Sequence, residues 1–129
     1  MIKTKKGYNP DFDIDLAFGE SYEDSLAAIL QQGKVEVKTE RDIWKTTGNI
    51  VFEIKCKGKP SGLSKTKADY WAQILTYKNE IKSILIFPVP VLKAQLKHLL
   101  SKNIAKIIKG GDNNESELII VPLNSIYSK

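Results

Sequence analysis

The sequence predicts an α/β domain in which a central mixed β-sheet is flanked by helices. Three observations lead there. Apolar side chains recur at helical spacing over residues 20–32 and again over 90–102. Between and after these stretches lie segments that alternate with period two or run apolar for four to eight residues, as strands do. The chain has 129 residues, of which 42% are apolar and 27% charged, which is one ordinary core and not two. A single domain over residues 1–129 is the expectation.

Residues 1–10 read as a loose arm. Residues 11–18 alternate acid and apolar side chains, which suggests an extended lead-in with Asp11, Asp13 and Asp15 on one side. From residue 20 the period becomes helical. Tyr22, Leu26, Ile29 and Leu30 share a face, Glu20, Glu23 and Asp24 suit the positive N-terminus, and Gly33 suits the stop. Glu23 precedes Leu26 by three residues and Leu30 by seven, so it lies along the apolar stripe.

Residues 34–39 alternate again, with Val35 and Val37 on one face and Glu36 and Lys38 on the other. A polar connection over 40–48 contains Trp44. Residues 49–57 form a second strand, with Ile50, Phe52, Ile54 and Cys56 on one face and Val51, Glu53, Lys55 and Lys57 on the other. The two strands, close in sequence, read as an antiparallel pair. Breakers make Gly58-Lys59-Pro60-Ser61-Gly62 a loop, and 64–69 a helical turn. Residues 70–77 and 81–87 are two strands joined by a short turn. Pro90 opens a helix with Leu92, Leu96, Leu99 and Leu100 inward. Short strands at 104–109 and 118–121 flank the glycine-rich turn 110–114.

Composition excludes several classes. One cysteine, Cys56, permits no intramolecular disulfide and no cysteine cluster for zinc, and His98 has no second histidine to form a metal pair. No apolar run approaches a membrane span. The basic start is followed by Asn9, Pro10 and aspartates rather than an apolar stretch, so a cytoplasmic protein without membrane contact is expected. The 110–114 turn lacks the Gly-Lys-Ser/Thr of a phosphate loop, so no nucleotide cofactor is indicated. The net charge is +5, and its location matters more than its size. Residues 34–67 hold nine Lys or Arg against four acids, while the rest balances at eleven against eleven. A concentrated basic segment suits a polyanion. Within it Lys57, Lys59, Ser61 and Lys65 are candidate phosphate contacts, and Trp44 is placed either to stack on a base or to cover a sheet edge.

The two Glu-x-Lys strands carry the chemistry. If their polar faces coincide, two carboxylates and two ammonium groups meet on one side of a sheet. Such carboxylates hold Mg²⁺ or Mn²⁺, which prefer oxygen ligands and retain several waters. A lysine beside them steadies negative charge growing on a phosphate. Glu23 would add a third carboxylate. The plainer reading is a set of cross-strand ion pairs on a solvated face.

Gly19-x-x-x-Glu23 opening a helix, then a carboxylate strand, then Phe-Glu53-Ile-Lys55-Cys-Lys, resembles the PD-(D/E)xK nuclease superfamily over residues 15–57. Glu36-Val-Lys38-Thr, Thr47-Gly-Asn49, the 58–62 loop and Ala68-Asp-Tyr-Trp71 are similar to a subgroup of small phage-encoded proteins of that superfamily. The resemblance implies a restriction endonuclease-like fold, phosphodiester cleavage in DNA with Mg²⁺ or Mn²⁺, residence in a host cytoplasm and, for so small a nuclease, a homodimer. It leaves two registers. In the favoured one Glu23, or Glu20 in its place, is the helical acid, Glu36 stands at the strand aspartate, and Glu53-Ile-Lys55 is the (D/E)xK. In the other, Glu36-Val-Lys38 is the (D/E)xK and Asp15 supplies the earlier acid. No Pro-Asp precedes either candidate. A non-catalytic nucleic-acid-binding module with a degenerate site on the same fold is the alternative function.

Overall fold

The computed structural model describes the backbone of residues 10–129 and the side chains from Gly19 onward; the expected arm, apart from Pro10, lies outside the described residues. The chain divides into two compact units, Met1–Gly33 and Lys34–Lys129.

The described residues of the first unit form one helix, α1 (Pro10–Gln32). Residues 11–18 are therefore helical, not extended. A proline opens the helix, where its missing N–H costs nothing, and the aspartates at 11, 13 and 15 fall in its first two turns. The Gly33 N–H donates to the Ile29 carbonyl at 2.8 Å at the far end.

The second unit holds two sheets and α3 (Val89–Ser101) around one core. The first sheet has the order β1 (Val35–Arg41), β4 (Tyr70–Tyr77), β5 (Glu80–Pro88). β1 runs parallel to β4, from Val35 opposite Tyr70 to Arg41 opposite Thr76. β4 and β5 form the expected hairpin, turning at Lys78 and Asn79, both at positive φ. The second sheet is antiparallel, with the order β3 (Lys59–Pro60), β2 (Asn49–Cys56), β7 (Ser116–Pro122), β6 (Lys106–Gly110). The single central sheet expected from the sequence is thus replaced by one mixed and one antiparallel sheet; the α/β class stands.

The expected antiparallel pairing of β1 with β2 does not occur. Asp42 adopts φ 52°, and α2 (Ile43–Thr47) carries the chain from the first sheet to the second. The link is too long and too helical for a tight hairpin. β1 instead pairs with β4, whose Trp71, Ala72, Gln73 and Leu75 are all buried.

Ile50 and Phe52 of β2, Trp71 and Leu75 of β4, Phe87 of β5, Ile119 and Val121 of β7, and Leu92, Leu96 and Leu99 of α3 fill the core. The Phe52 ring centroid lies 6.5 Å from Trp71 and 6.3 Å from Phe87, the latter edge to face.

Candidate functional site

β1 occupies one edge of its sheet, and Glu36, Lys38 and Glu40 lie on its core-facing side. Side chains on opposed residues of a ladder share a face. Glu36 stands opposite Trp71, Lys38 opposite Gln73 and Glu40 opposite Leu75, and all three β4 partners are buried. The alternation is as expected, but the faces are exchanged: Val37, on the apolar side, is 53% exposed. Lys38 Nζ lies 3.4 Å from Glu36 Oε2, and both side chains remain partly open to solvent. One carboxylate and one ammonium thus stand side by side at the rim of the core.

Glu40, two residues further on this face, is engaged differently. Its Oε1 accepts from the Val51 N–H at 3.0 Å and its Oε2 from Gln73 Nε2 at 2.8 Å. The same Gln73 amide donates to the Val51 carbonyl at 3.2 Å, and its Oε1 accepts from the Trp71 indole N–H at 2.8 Å. A carboxylate and a carboxamide from one sheet therefore satisfy both backbone groups of Val51 in the other, as a neighbouring strand would. Burial pushes the Glu40 carboxyl above its ordinary range, while the bonds from Gln73 and Val51 pull it down. Glu40 spends its oxygens on holding two sheets together.

The second Glu-x-Lys is split by a β-bulge. Glu53 stands opposite Leu118, but Lys55 stands opposite Glu117, so Ile54 is an extra residue. Leu118 and Glu117 are adjacent in β7 and point to opposite faces, hence so do Glu53 and Lys55. The expectation that these two act side by side is corrected by this one-residue insertion. Cys56, opposite Ser116, moves to the face of Glu53 and leaves the apolar row expected for it. Glu53 Oε1 accepts from Ser116 Oγ at 2.9 Å, beside a polar cleft of about 600 Å³ that Cys56 and Asp112 also line. Glu36 and Glu53 belong to strands that are not neighbours and lie in different sheets.

Glu20 and Glu23 are exposed residues of α1; Asp15 lies in that helix, and its side chain is outside the described residues. Lys57, Lys59 and Lys65 are exposed, and Lys57 Nζ approaches Glu115 at 3.9 Å. Ser61 differs from expectation: its Oγ is buried, with no hydrogen-bond partner among the described residues, and so is turned away from the lysines' solvent. Among the described residues no group of three or more His, Cys, Asp or Glu could hold a metal ion.

Sequence reasoning missed Gln73 and the role of Glu40. The signal was a glutamine two residues from Trp71 and two from Leu75 inside an apolar run, a polar group on a buried face. Comparison with models of known families, with curated proteins and with solved structures finds no match to this chain. The class that the fold and site define is therefore drawn from geometry: an α/β unit with a carboxylate–ammonium pair on an edge strand, followed in sequence by a basic loop.

Proposed function

We propose that the chain is a divalent-metal-dependent endonuclease acting on DNA, of restriction endonuclease-like fold, with Glu36-Val-Lys38 as its Glu-x-Lys. The observation that carries this reading is the placement of Glu36 and Lys38 on one face, 3.4 Å apart and open to solvent. It favours the second register, because the bulge at Ile54 separates Glu53 from Lys55.

The donor set fits a Mg²⁺ or Mn²⁺ ion held mainly by water and substrate phosphate, since such ions need only one or two protein carboxylates. Glu36 is the residue that would hold it. A bound ion would polarise a phosphoryl oxygen and lower the pKa of its water. Lys38 supplies a fixed positive charge next to the carboxylate, placed to stabilise the anionic phosphorane-like transition state. Lys57, Lys59 and Lys65 supply exposed cations for flanking phosphates. A pair of copies would bring two such sites to one branched or partly unpaired DNA.

The test is cleavage of plasmid and branched DNA with Mg²⁺ or Mn²⁺. Glu36→Gln and Lys38→Ala should each lower the rate by about 10²-fold or more, by analogy with lost oxyanion donors. Glu53→Gln should cut within about twofold of the unmodified protein, because its carboxylate serves Ser116. Collapse in Glu53→Gln with full activity in Glu36→Gln would return the site to the other register. A second reading, a binding module without cleavage, is favoured by the engagement of Glu40 and Glu53 with neutral donors. It takes over if the unmodified protein binds DNA and cuts none.

A further inference from the structure

At the C-terminal end of β1 the chain builds a corner that the nuclease reading does not use. Arg41 ends the strand, Asp42 turns the backbone, and α2 presents Trp44 and Lys45 toward the β4–β5 hairpin with Tyr77 and Lys78. Hydrogen bonds fix the corner. The Trp44 indole N–H donates to the Thr76 carbonyl at 2.6 Å, the Asp42 N–H donates to the same carbonyl at 3.0 Å, and the Lys78 N–H donates to Asp42 Oδ1 at 3.0 Å. Both rings are half-buried, Trp44 packing on one side against the core. Lys45 Nζ lies 5.9 Å from the Trp44 ring centroid and 5.5 Å from that of Tyr77, and Lys78 Nζ lies 5.4 Å from Tyr77. A cleft of about 300 Å³ opens beside the indole, lined by the apolar Ile43, Val51 and Ile120 and by Glu40, Arg41 and Asn49; the Glu40 carboxylate there is already held by Gln73 and the Val51 N–H.

The chemistry of a fitting ligand follows from these groups. A cationic ligand is excluded, because lysine ammoniums already stand over the rings. A purely apolar ligand would leave Arg41, Lys45 and Lys78 without compensation. What remains is a molecule with a flat π-face and negative charge on both sides of it. We infer that this corner seats an unpaired base of a single-stranded polynucleotide. The base stacks on Trp44 or Tyr77, and the lysine ammoniums move from the rings to the flanking phosphates. Duplex bases are already stacked on each other and cannot offer that face. Arg41 is five residues along β1 from Glu36, about 16 Å at strand rise, and on the other face, so a polynucleotide that reaches both places passes over the open edge of β1. The inference rests on the nuclease reading and deepens it by naming the substrate form.

Trp71 is buried, so quenching of tryptophan emission by an added oligonucleotide reports on Trp44. The experiment titrates the full chain, without divalent metal, with a thymidine 12-mer, a uridine 12-mer, a duplex of the same length and a free thymidine nucleotide. Anisotropy of labelled strands is read alongside. Quenching is expected with the single strands, which should bind at least about tenfold tighter than the duplex, a difference of one stacked base. Lys45→Gln/Lys78→Gln should lower the salt slope of single-strand binding by about 1.4, the loss of two phosphate contacts. Lys93→Gln/Lys97→Gln on α3 should leave it unchanged. The inference is overturned by unchanged emission, by a duplex that binds as tightly as the single strand, by a nucleotide that binds as tightly as the 12-mer, or by equal loss in both lysine pairs. Plasmid cleavage without quenching would remove this inference and keep the nuclease. Quenching without cleavage of any substrate would do the reverse.

Discussion

Replacing Gln73 by methionine tests the bond between the two sheets. The substitution keeps volume and apolar contact and removes the carboxamide. Three interactions go with it: the acceptor for the buried Trp71 indole, the 2.8 Å donor to the Glu40 carboxylate, and the weaker 3.2 Å donor to the Val51 carbonyl. An orphaned buried donor costs about 1–3 kcal/mol, and a hydrogen bond to a charged group contributes about 1.5–3 kcal/mol. Allowing for non-additivity, the expected loss is roughly 3–5 kcal/mol against a total of about 5–15 kcal/mol for a domain. In a unit of this size that lowers Tm by roughly 15–25 °C. Urea unfolding followed through tryptophan emission measures it, with the m-value unchanged. A cycle with Glu40→Leu should give a coupling of about 1 kcal/mol or more. A loss below about 1 kcal/mol, or no coupling, would refute the view that this pair closes the edge of β2.

The pH dependence follows from Glu40. Burial raises its folded-state pKa above the unfolded value, so between those values the folded chain holds more protons. Its contribution to stability is therefore most favourable below that window and is lost as pH rises through the folded pKa. Glu40→Gln should flatten that slope in urea melts taken across the acid range. Gly62 sits at φ +50°, and an added Cβ would press on the Glu53 carbonyl, so Gly62→Ala should cost about 1–3 kcal/mol. Gly58→Ala, also at positive φ but facing open space, should cost less in the same denaturation assay. Affinity for DNA should fall steeply with salt, and Lys57→Gln/Lys59→Gln/Lys65→Gln should reduce the slope by about two to three. A slope unchanged by the triple substitution would separate this loop from the phosphates.

Local periodicity carried most of the elements. Leu92, Leu96 and Leu99 define α3, and the run from Tyr70 to Tyr77 with its turn defines the β4–β5 hairpin. The first half of α1 is ambiguous in sequence, because three alternating aspartates suit both an extended segment and a helix start. The topology was not legible. β1 pairs in parallel with a strand far along the chain, and no turn residue announces such a partner. For the site, period two placed Glu36 and Lys38 together, while Val35 and Val37 suggested the wrong face as the buried one. An edge strand can turn charges toward a core rim where a buried strand could not. The split of Glu53 from Lys55 was invisible because Ile54 looks like any strand residue; only the pairing with β7 reveals it as surplus.

That surplus residue makes the composition of one sheet face depend on chain length. Deleting Ile54 would restore a regular ladder and turn nothing, because Lys55 already stands opposite Glu117 and Cys56 opposite Ser116. Adding one residue to β7 between Glu117 and Leu118 would instead give Ile54 a partner. Lys55 would then come round beside Glu53, and Cys56 and Ser116 would swing together to the opposite face. A change of length is therefore silent on one strand and a change of chemistry on its neighbour, where an alignment that treats a gap as neutral would pair residues that face opposite ways.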